Sequence, residues 1–485
     1  MTLSQERQLE IAGPPTTVNT GPDVSWWPLI VVMAGTFMTI LDFFIVNVAV
    51  PSIQLDLRTD EAAIQFVVAA YGLTFAVGLV TGGRLGDLYG RRRLFVLGTA
   101  LFTVASVGCS AAPSGGALIA ARLVQGCGAA LLTPQVLAIL TTVYTGERQR
   151  KAFAVYGMVL GLAGVFGQLI GGALIQADPG GLTWRSIFLI NVPVGLLALG
   201  AVRRVVPEIH PGQPVKLDMA GTVLLTSGLA ALVVPLAEGR QHGWPWWTWV
   251  SLAGAGVLFA LFARQQRRAV AKGGAPLIPP DLLASRSFTA GVVVTLVFLM
   301  ASGSFFFVLA VYLQQARGMS ALGSGLLFTA VGGGFFAGMT SAHTYGARFG
   351  RRVLAAGACV TAVGYLVTAV AALVIGPGGP LRALAPGLLL VGLGLGSVLG
   401  PLAGTVLGGV KGDHAGSAAG VLSTAQELGG ALGVTGVGVV YFAAAGATPV
   451  LHGSTRAFVL SLVVEATLAL LAAVLVRLLP KASVE

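Results

Sequence analysis

Apolar and polar positions alternate along this chain in long blocks. Runs of roughly 20 apolar residues, the length a helix needs to cross a bilayer, alternate with short segments that collect nearly all the charges. Such runs are read at about residues 27–50, 62–83, 94–112, 117–143, 152–177, 186–201, 217–236 and 246–263. Six more follow at 288–313, 321–342, 353–375, 383–410, 415–442 and 457–476. The pattern predicts an all-α integral membrane protein with 14 transmembrane helices. Composition agrees, with 55% hydrophobic and 10% charged residues, against roughly 25% charged in soluble domains. A soluble enzyme with one core and a disordered chain are both excluded.

The net charge of +11 takes on meaning once the cations are placed. If the N-terminus is cytoplasmic, 22 of the 29 Lys and Arg fall on that side and six on the other, with Arg122 alone inside a run. This positive-inside bias predicts a multi-pass plasma-membrane protein with both termini in the cytoplasm. The basic charge is thus an orientation signal against a lipid bilayer, and a nucleic-acid partner is not expected. Arg outnumbers Lys 24 to 5, which suggests a GC-rich bacterial genome. Cys109, Cys127 and Cys359 lie far apart within apolar runs, so neither a disulfide framework nor a metal site is expected.

Two loops are longer than the rest, 203–216 and 264–286, and both are rich in proline. They divide the chain into a cytoplasmic tail (1–25), a six-helix bundle (26–204), linker loops with two extra helices (205–286), a second six-helix bundle (287–478) and a tail (479–485). A faint repeat relates the halves. Gly90-Arg91-Arg92 recurs as Gly350-Arg351-Arg352, and Gly171-Gly172 as Gly429-Gly430. Two pseudo-symmetric bundles with two inserted helices fit the repeat plan of secondary transporters.

Three acids or bases lie where charge is costly. Asp42 is deep in the first run, Arg122 in the fourth and Glu427 in the thirteenth. A charge at the bilayer centre costs about 2.5–3.5 kcal/mol on insertion scales, so each needs a partner, a cavity or a function. Burial disfavours a charged carboxyl, which would let Asp42 take up and release a proton; the alternative is an Asp bonded to a neighbouring helix for packing. Arg122 must face water, a carboxylate or carbonyls, because guanidinium keeps its proton. Glu427 is read as a second proton carrier, a counter-charge for cationic compounds or a packing residue. Glu465, among Phe458, Leu462 and Leu468, is read as facing lipid. Asn47, Tyr71, Gln125 and Gln135 are candidate cavity groups, and Gln168 is either a cavity group or an interhelical bond.

Several motifs resemble the fourteen-helix drug:proton antiporter branch of the major facilitator superfamily. They are Leu41-Asp42 through Asn47 to Pro51, Gly83-Arg84-Leu85-Gly86-Asp87 with Gly90-Arg91-Arg92, and Arg122 with Gln125, Gly126 and Gly128. Trp184-Arg185 with Asn191 and Pro193, and a glycine-rich fifth run ending Gly171-Gly172, complete the set. Two positions depart from the family pattern: Phe44 stands where Thr is usual, and Gly167-Gln168 where Gly-Pro is usual. The resemblance implies proton coupling at Asp42, with Arg122 keeping a nearby acid ionised until the conformation changes; a permanent buried ion pair is the other reading of Arg122. It implies a cytoplasmic gate of Gly83, Asp87, Gly90, Arg91 and Arg92, although membrane anchoring alone would account for the arginines. It also implies that a stripe of Gly157, Gly161, Gly164, Gly171 and Gly172 packs against the opposite half.

The expected function is proton-coupled efflux of amphipathic small molecules, such as antibiotics or secondary metabolites, by alternating access. No cofactor is called for, protons being the coupling ion, and a monomer is expected. Uptake of a metabolite by proton symport is the first alternative. A channel or an intramembrane enzyme is the second, and the chain shows no catalytic motif to support it.

Overall fold

The computed structural model describes residues 25–59, 61–208, 218–239, 243–272, 276–319, 321–376, 378–410, 414–445 and 451–479. Nearly all of both expected tails lies outside these residues. The first half contains α1 (Trp27–Leu57), α2 (Glu61–Tyr89), α3 (Arg91–Ser110), α4 (Gly115–Val143), α5 (Gly146–Ala177) and α6 (Asn191–Val205). A pair follows, α7 (Met219–Glu238) and α8 (Trp246–Ala271). The second half contains α9 (Arg286–Val311), α10 (Ala321–Phe349), α11 (Arg351–Ile375), α12 (Ala385–Leu407), α13 (Ala415–Ala445) and α14 (Leu451–Leu475). Among the described residues there is no strand.

Among the described residues, twelve helices are long and apolar enough to cross a membrane, or 13 if one bent pair is a single span. The expected 14 is therefore not reached on this criterion. The bent element is α5, which turns by 43° between Gly164 and Leu169, where glycine replaces side-chain packing. The helix outside the set is α2, 29 residues long, part of whose apolar run falls on side chains outside the described residues.

The packing repeats. In the first half α2 packs on α4, α3 on α4, α1 on α5, and α6 on both α1 and α3. In the second half α10 packs on α12, α11 on α12, α9 on α13, and α14 on both α9 and α11. Lipid supplies little hydrophobic drive between helices, so close approach of small residues has to hold them. A Cβ on Gly82 would overlap the Ala130 carbonyl, and one on Gly334 would overlap that of Leu389. Both contacts join corresponding helix pairs, α2 with α4 and α10 with α12. Gly90 (φ +99°) and Gly350 (φ +50°) each precede the first residue of the next helix. The left-handed backbone there is one that glycine adopts at little cost, which gives the sequence repeat its physical cause.

The halves meet through α2 on α13, α4 on α13, and α5 on α10 and α12. Burial runs from 78% of the apolar window of α4 to 11% of that of α8, so α4 is central and α8 peripheral. Between them in position, α7 lies along α2 and α13 together, with Thr226 Oγ1 3.4 Å from Thr81 Oγ1 and the Thr435 hydroxyl donating to the Leu236 carbonyl (3.0 Å). Asp218 caps α7 through the Gly221 N–H (2.9 Å) and accepts from Gln266 (2.7 Å), which itself accepts from the Leu277 N–H (2.8 Å). The inserted pair is thereby tied to its own linker.

Candidate functional site: a buried acid and an inter-half latch

Helix α1 carries Asp42 into the centre of the first half. Ser106 and Cys109 on α3, and Arg122 and Gln125 on α4, are each spaced three apart, so each pair shares one helical face. Asn191 opens α6, where the sixth span breaks after the short turn 186–189. All these side chains are at most 1% exposed.

Their hydrogen bonds form one network. Arg122 Nη1 donates to Asp42 Oδ2 and to Gln125 Oε1 (2.8 Å), and Arg122 Nε donates to the Val67 carbonyl (3.2 Å). Gln125 Nε2 donates to Asp42 Oδ1 (2.9 Å) and Ser106 Oγ (2.9 Å). Asn191 Nδ2 also donates to Asp42 Oδ1 (2.7 Å). The carboxylate thus accepts from one cation and two amides. The Tyr71 ring lies 4.5 Å from the guanidinium carbon and Phe188 5.8 Å from it, both within cation–π range. The Tyr71 hydroxyl is spent on the Thr39 carbonyl (3.1 Å).

Such an arrangement can link charge to position. While Asp42 is ionised, Arg122 is neutralised and α1, α4 and α6 are tied together. A proton on Asp42 would leave Arg122 buried beside a neutral group, and an unbalanced buried charge costs several kcal/mol. Arg122 Nη2 and Asn191 Oδ1 are buried without a partner, so the network is not saturated.

The candidate cavity groups fare differently. Gln125 is locked in the network, and Tyr71 is 0% exposed beneath Arg122. Gln135 donates to the Gly82 (2.8 Å) and Leu131 (2.9 Å) carbonyls and is likewise fully buried between α4 and α2. These three are packing or network groups in this conformation, because backbone carbonyls and Arg122 already claim them. The side chains of Asn47 and Gln168 lie outside the described residues. Glu427 lies on α13, partly exposed, within electrostatic reach of Tyr71 beneath Arg122 and of Tyr156 on α5. A cavity of about 420 Å³ lined by Trp26, Lys151, Val155, Met339 and Thr340 lies at the Arg-rich end, apart from Asp42.

At that same end the halves are latched. Asp87 on α2 accepts from the Gly416 N–H (2.9 Å), and from the Ser417 N–H (2.8 Å) and hydroxyl (2.8 Å), at the start of α13. A helix start favours negative charge. Arg91 Nη2 donates to Asp87 Oδ1 (3.2 Å) and Arg91 Nη1 to Thr142 Oγ1 (2.8 Å). Gly83 permits the approach, since a Cβ there would overlap the Gly416 carbonyl. Arg92 turns away to Glu208 (3.1 Å) and the Val206 carbonyl (3.2 Å), and Gly90 also abuts Glu208. Arg92 therefore ties α3 to the end of α6 within its own half rather than across the interface.

The glycine stripe divides. Gly157 meets the Gly400 backbone and Gly161 the Phe335 ring, both in the second half. Gly164 meets Phe44 of its own half, Gly171 is buried, and Gly172 has open space beside it. Phe44, the departure from the family pattern, also stacks edge-on with Phe306 of α9 at 6.3 Å. Ser106 and Glu208 had no distinguishing sequence signal. Glu465, expected to face lipid, is instead 0% exposed inside the second half.

The sequence profile of the Major Facilitator Superfamily matches residues 32–434. The chain is 38% identical over 439 residues to the "Probable actinorhodin transporter" of Streptomyces coelicolor, covering 89% of this chain and 74% of that protein. It is 36% identical over 473 residues to the puromycin resistance protein pur8 of Streptomyces alboniger, covering 94% and 92%. Among solved structures, the human organic anion transporter MFSD10 superposes with a TM-score of 0.66 at 18% identity, covering 94% of this chain and all of that one. That likeness concerns the fold.

Proposed function

The chain belongs to the Major Facilitator Superfamily, and on that premise we propose that it exports amphipathic small molecules, antibiotics or secondary metabolites, in exchange for protons. It is a transporter rather than an enzyme, and its relatives are antibiotic exporters and drug efflux pumps. The observation that carries the proton-coupled reading is the buried Asp42–Arg122 pair with its two amide donors. A proton arriving on Asp42 competes with Arg122 for the carboxylate, which loosens α1 from α4. The repeated packing of the halves supports rocking of two six-helix bundles, with α7 and α8 inserted between them in the chain, all 14 helices spanning the membrane and both termini cytoplasmic. The Asp87–Ser417 latch then closes the cytoplasmic end, and the pump works as a monomer without a cofactor.

The energy suffices. One proton moving inward gains about 2.3 kcal/mol per 100 mV and about 1.4 kcal/mol per pH unit. Together, about 3.7 kcal/mol sustains roughly a 500-fold substrate gradient.

The test is transport in inverted vesicles of a host that expresses the protein. An acid interior should drive uptake of puromycin or a similar amphipathic antibiotic, and dissipating the gradient should stop it. D42N should bind the compound and fail to accumulate it. Accumulation by D42N equal to that of the native protein overturns the role of Asp42, and uptake driven in the reverse sense overturns export.

A further inference from the structure

Glu465 sits midway along α14 with its side chain wholly enclosed. Neither carboxyl oxygen has a hydrogen-bond partner, and the Tyr365 hydroxyl, from fully buried Tyr365 of α11, also lacks one. Ser304 of α9 adjoins the carboxyl, and Tyr365, next to Ser302, lies within its electrostatic reach. The Ser302 hydroxyl donates to the Phe298 carbonyl (2.9 Å), and the Ser304 hydroxyl to those of Met300 (2.8 Å) and Ala301 (3.0 Å). Both are donors already spent on their own helix.

The place is not arbitrary. Helices α9, α11 and α14 pack together as α1, α3 and α6 do, and those three carry Asp42, Ser106 and Asn191. The offset of 260 between Gly90 and Gly350 carries Asp42 onto Ser302, and Ser106 to within one residue of Tyr365. The second half thus has a polar pocket at the related position, with its acid on the sixth helix instead of the first. What it lacks, among the described residues, is the cation. Helix α12, the counterpart of α4, has no charged residue from Ala385 to Leu407.

The other neighbours supply none. Helix α9 bears one ionisable side chain, Arg286, at its start, 16 residues from Ser302 and so about 24 Å away. Helix α11 bears Arg351 and Arg352 at its start, then Cys359 and Tyr365. Helix α13 bears Glu427 and Tyr441. Tyr312, after α9, touches α14 at Phe458, two turns from Glu465. Helix α14 itself adds His452 and Arg456 near its start, and Arg477 follows its end.

We propose that Glu465 is a second proton-binding site, neutral and loaded in this conformation, which empties when transport admits water to the pocket. A lone buried carboxylate costs several kcal/mol, whereas its neutral acid can donate to the Ser304 hydroxyl oxygen, the neighbour on α9. Any conformation that hydrates the carboxyl favours loss of the proton, so occupancy and conformation are linked. The two acids then differ here: Asp42 is paired with Arg122 while Glu465 holds its proton. The use of this site in transport rests on the proton-coupled reading above; its protonation does not.

Infrared difference spectroscopy of the full-length protein in lipid, titrated with acid and base, reads a protonated carboxyl directly. Native protein at neutral pH should show a protonated-carboxyl band that E465Q lacks, and E427Q should retain it. In vesicles, E465Q should lose the rise of transport with the imposed proton gradient, and E465D, which keeps an ionisable group, should recover it. Gln matches the neutral acid in shape, and the thermal stability of each variant reports whether it folds. Absence of the band, an unchanged pH profile in E465Q, or a pH effect that follows sodium rather than protons overturns the proposal. If native vesicles show no gradient-driven transport, the proton-coupled reading fails, while the band still decides whether Glu465 is loaded.

Discussion

Asp87 and Ser417 lie 330 positions apart in the chain and touch twice, through the Ser417 N–H and its hydroxyl, both donating to Asp87 Oδ2 at 2.8 Å. With the Gly416 N–H, one carboxylate holds the start of α13 against α2. Hydrogen bonds to a charged group contribute about 1.5–3 kcal/mol each, so this contact weighs heavily on whether the Arg-rich end stays shut. In D87A the end should open more often. Spin labels at Tyr89 and Gly409, both exposed, should gain a longer-distance population, and transport should fall.

Asp42 and Arg122 are a desolvated pair, and removing one partner of such a pair costs about 3–5 kcal/mol. R122A should therefore lower thermal stability in detergent more than the double variant D42N/R122Q, which leaves no unbalanced charge. Neither should pump. Equal stability of the two would show that the charges are screened by water.

The glycine stripe makes a matched pair of predictions. A Cβ on Gly157 would stand 2.8 Å from Gly400 Cα, whereas one on Gly172 would meet nothing within 4 Å. G157V should insert normally and lose most transport, because it wedges α5 from α12. G172A should transport at the native rate. Vesicle uptake normalised to protein content reads both.

Beyond the apolar run of α1, Asp56 accepts from the Trp184 indole N–H (2.9 Å) and from Arg185. These bonds hold its carboxyl below the usual range, the Trp184 bond most. A depressed carboxyl contributes stability above its unfolded value, near 3.9, and loses it as pH falls through the folded value. The native protein should therefore outlast D56N on heating at pH 7, by an amount that shrinks only below about pH 4. A difference that persists into strong acid would place the effect in packing.

Much of this was legible in the sequence, for identifiable reasons. Apolar run length located the helices, and Gly90 and Gly350 marked a repeat because both turns need a left-handed residue. Arg122 and Gln125 stood out together as one motif, and their spacing of three sets them on one helical face. Glu465 was misread because its sequence neighbours are apolar whether a helix faces lipid or another helix; only the hydroxyls of Ser302, Ser304 and Tyr365, on other helices, distinguish the two. Gln135, read as a cavity group, is held in this conformation by backbone carbonyls, which leave no mark in a sequence. Arg92 looked equivalent to Arg91, yet one helical step turns it toward Glu208.

Helix α7 rests on α2 and α13 at once, with no comparable packing on α5 and α10. The two lateral seams of the molecule are therefore unlike. One is shuttered from the surrounding acyl chains by an extra rod, and among the described residues the other has no such cover. If the lobes rock as proposed, that rod has to slide with them, and a greasy compound dissolved in the leaflet would meet less obstruction on the flank of α5 and α10.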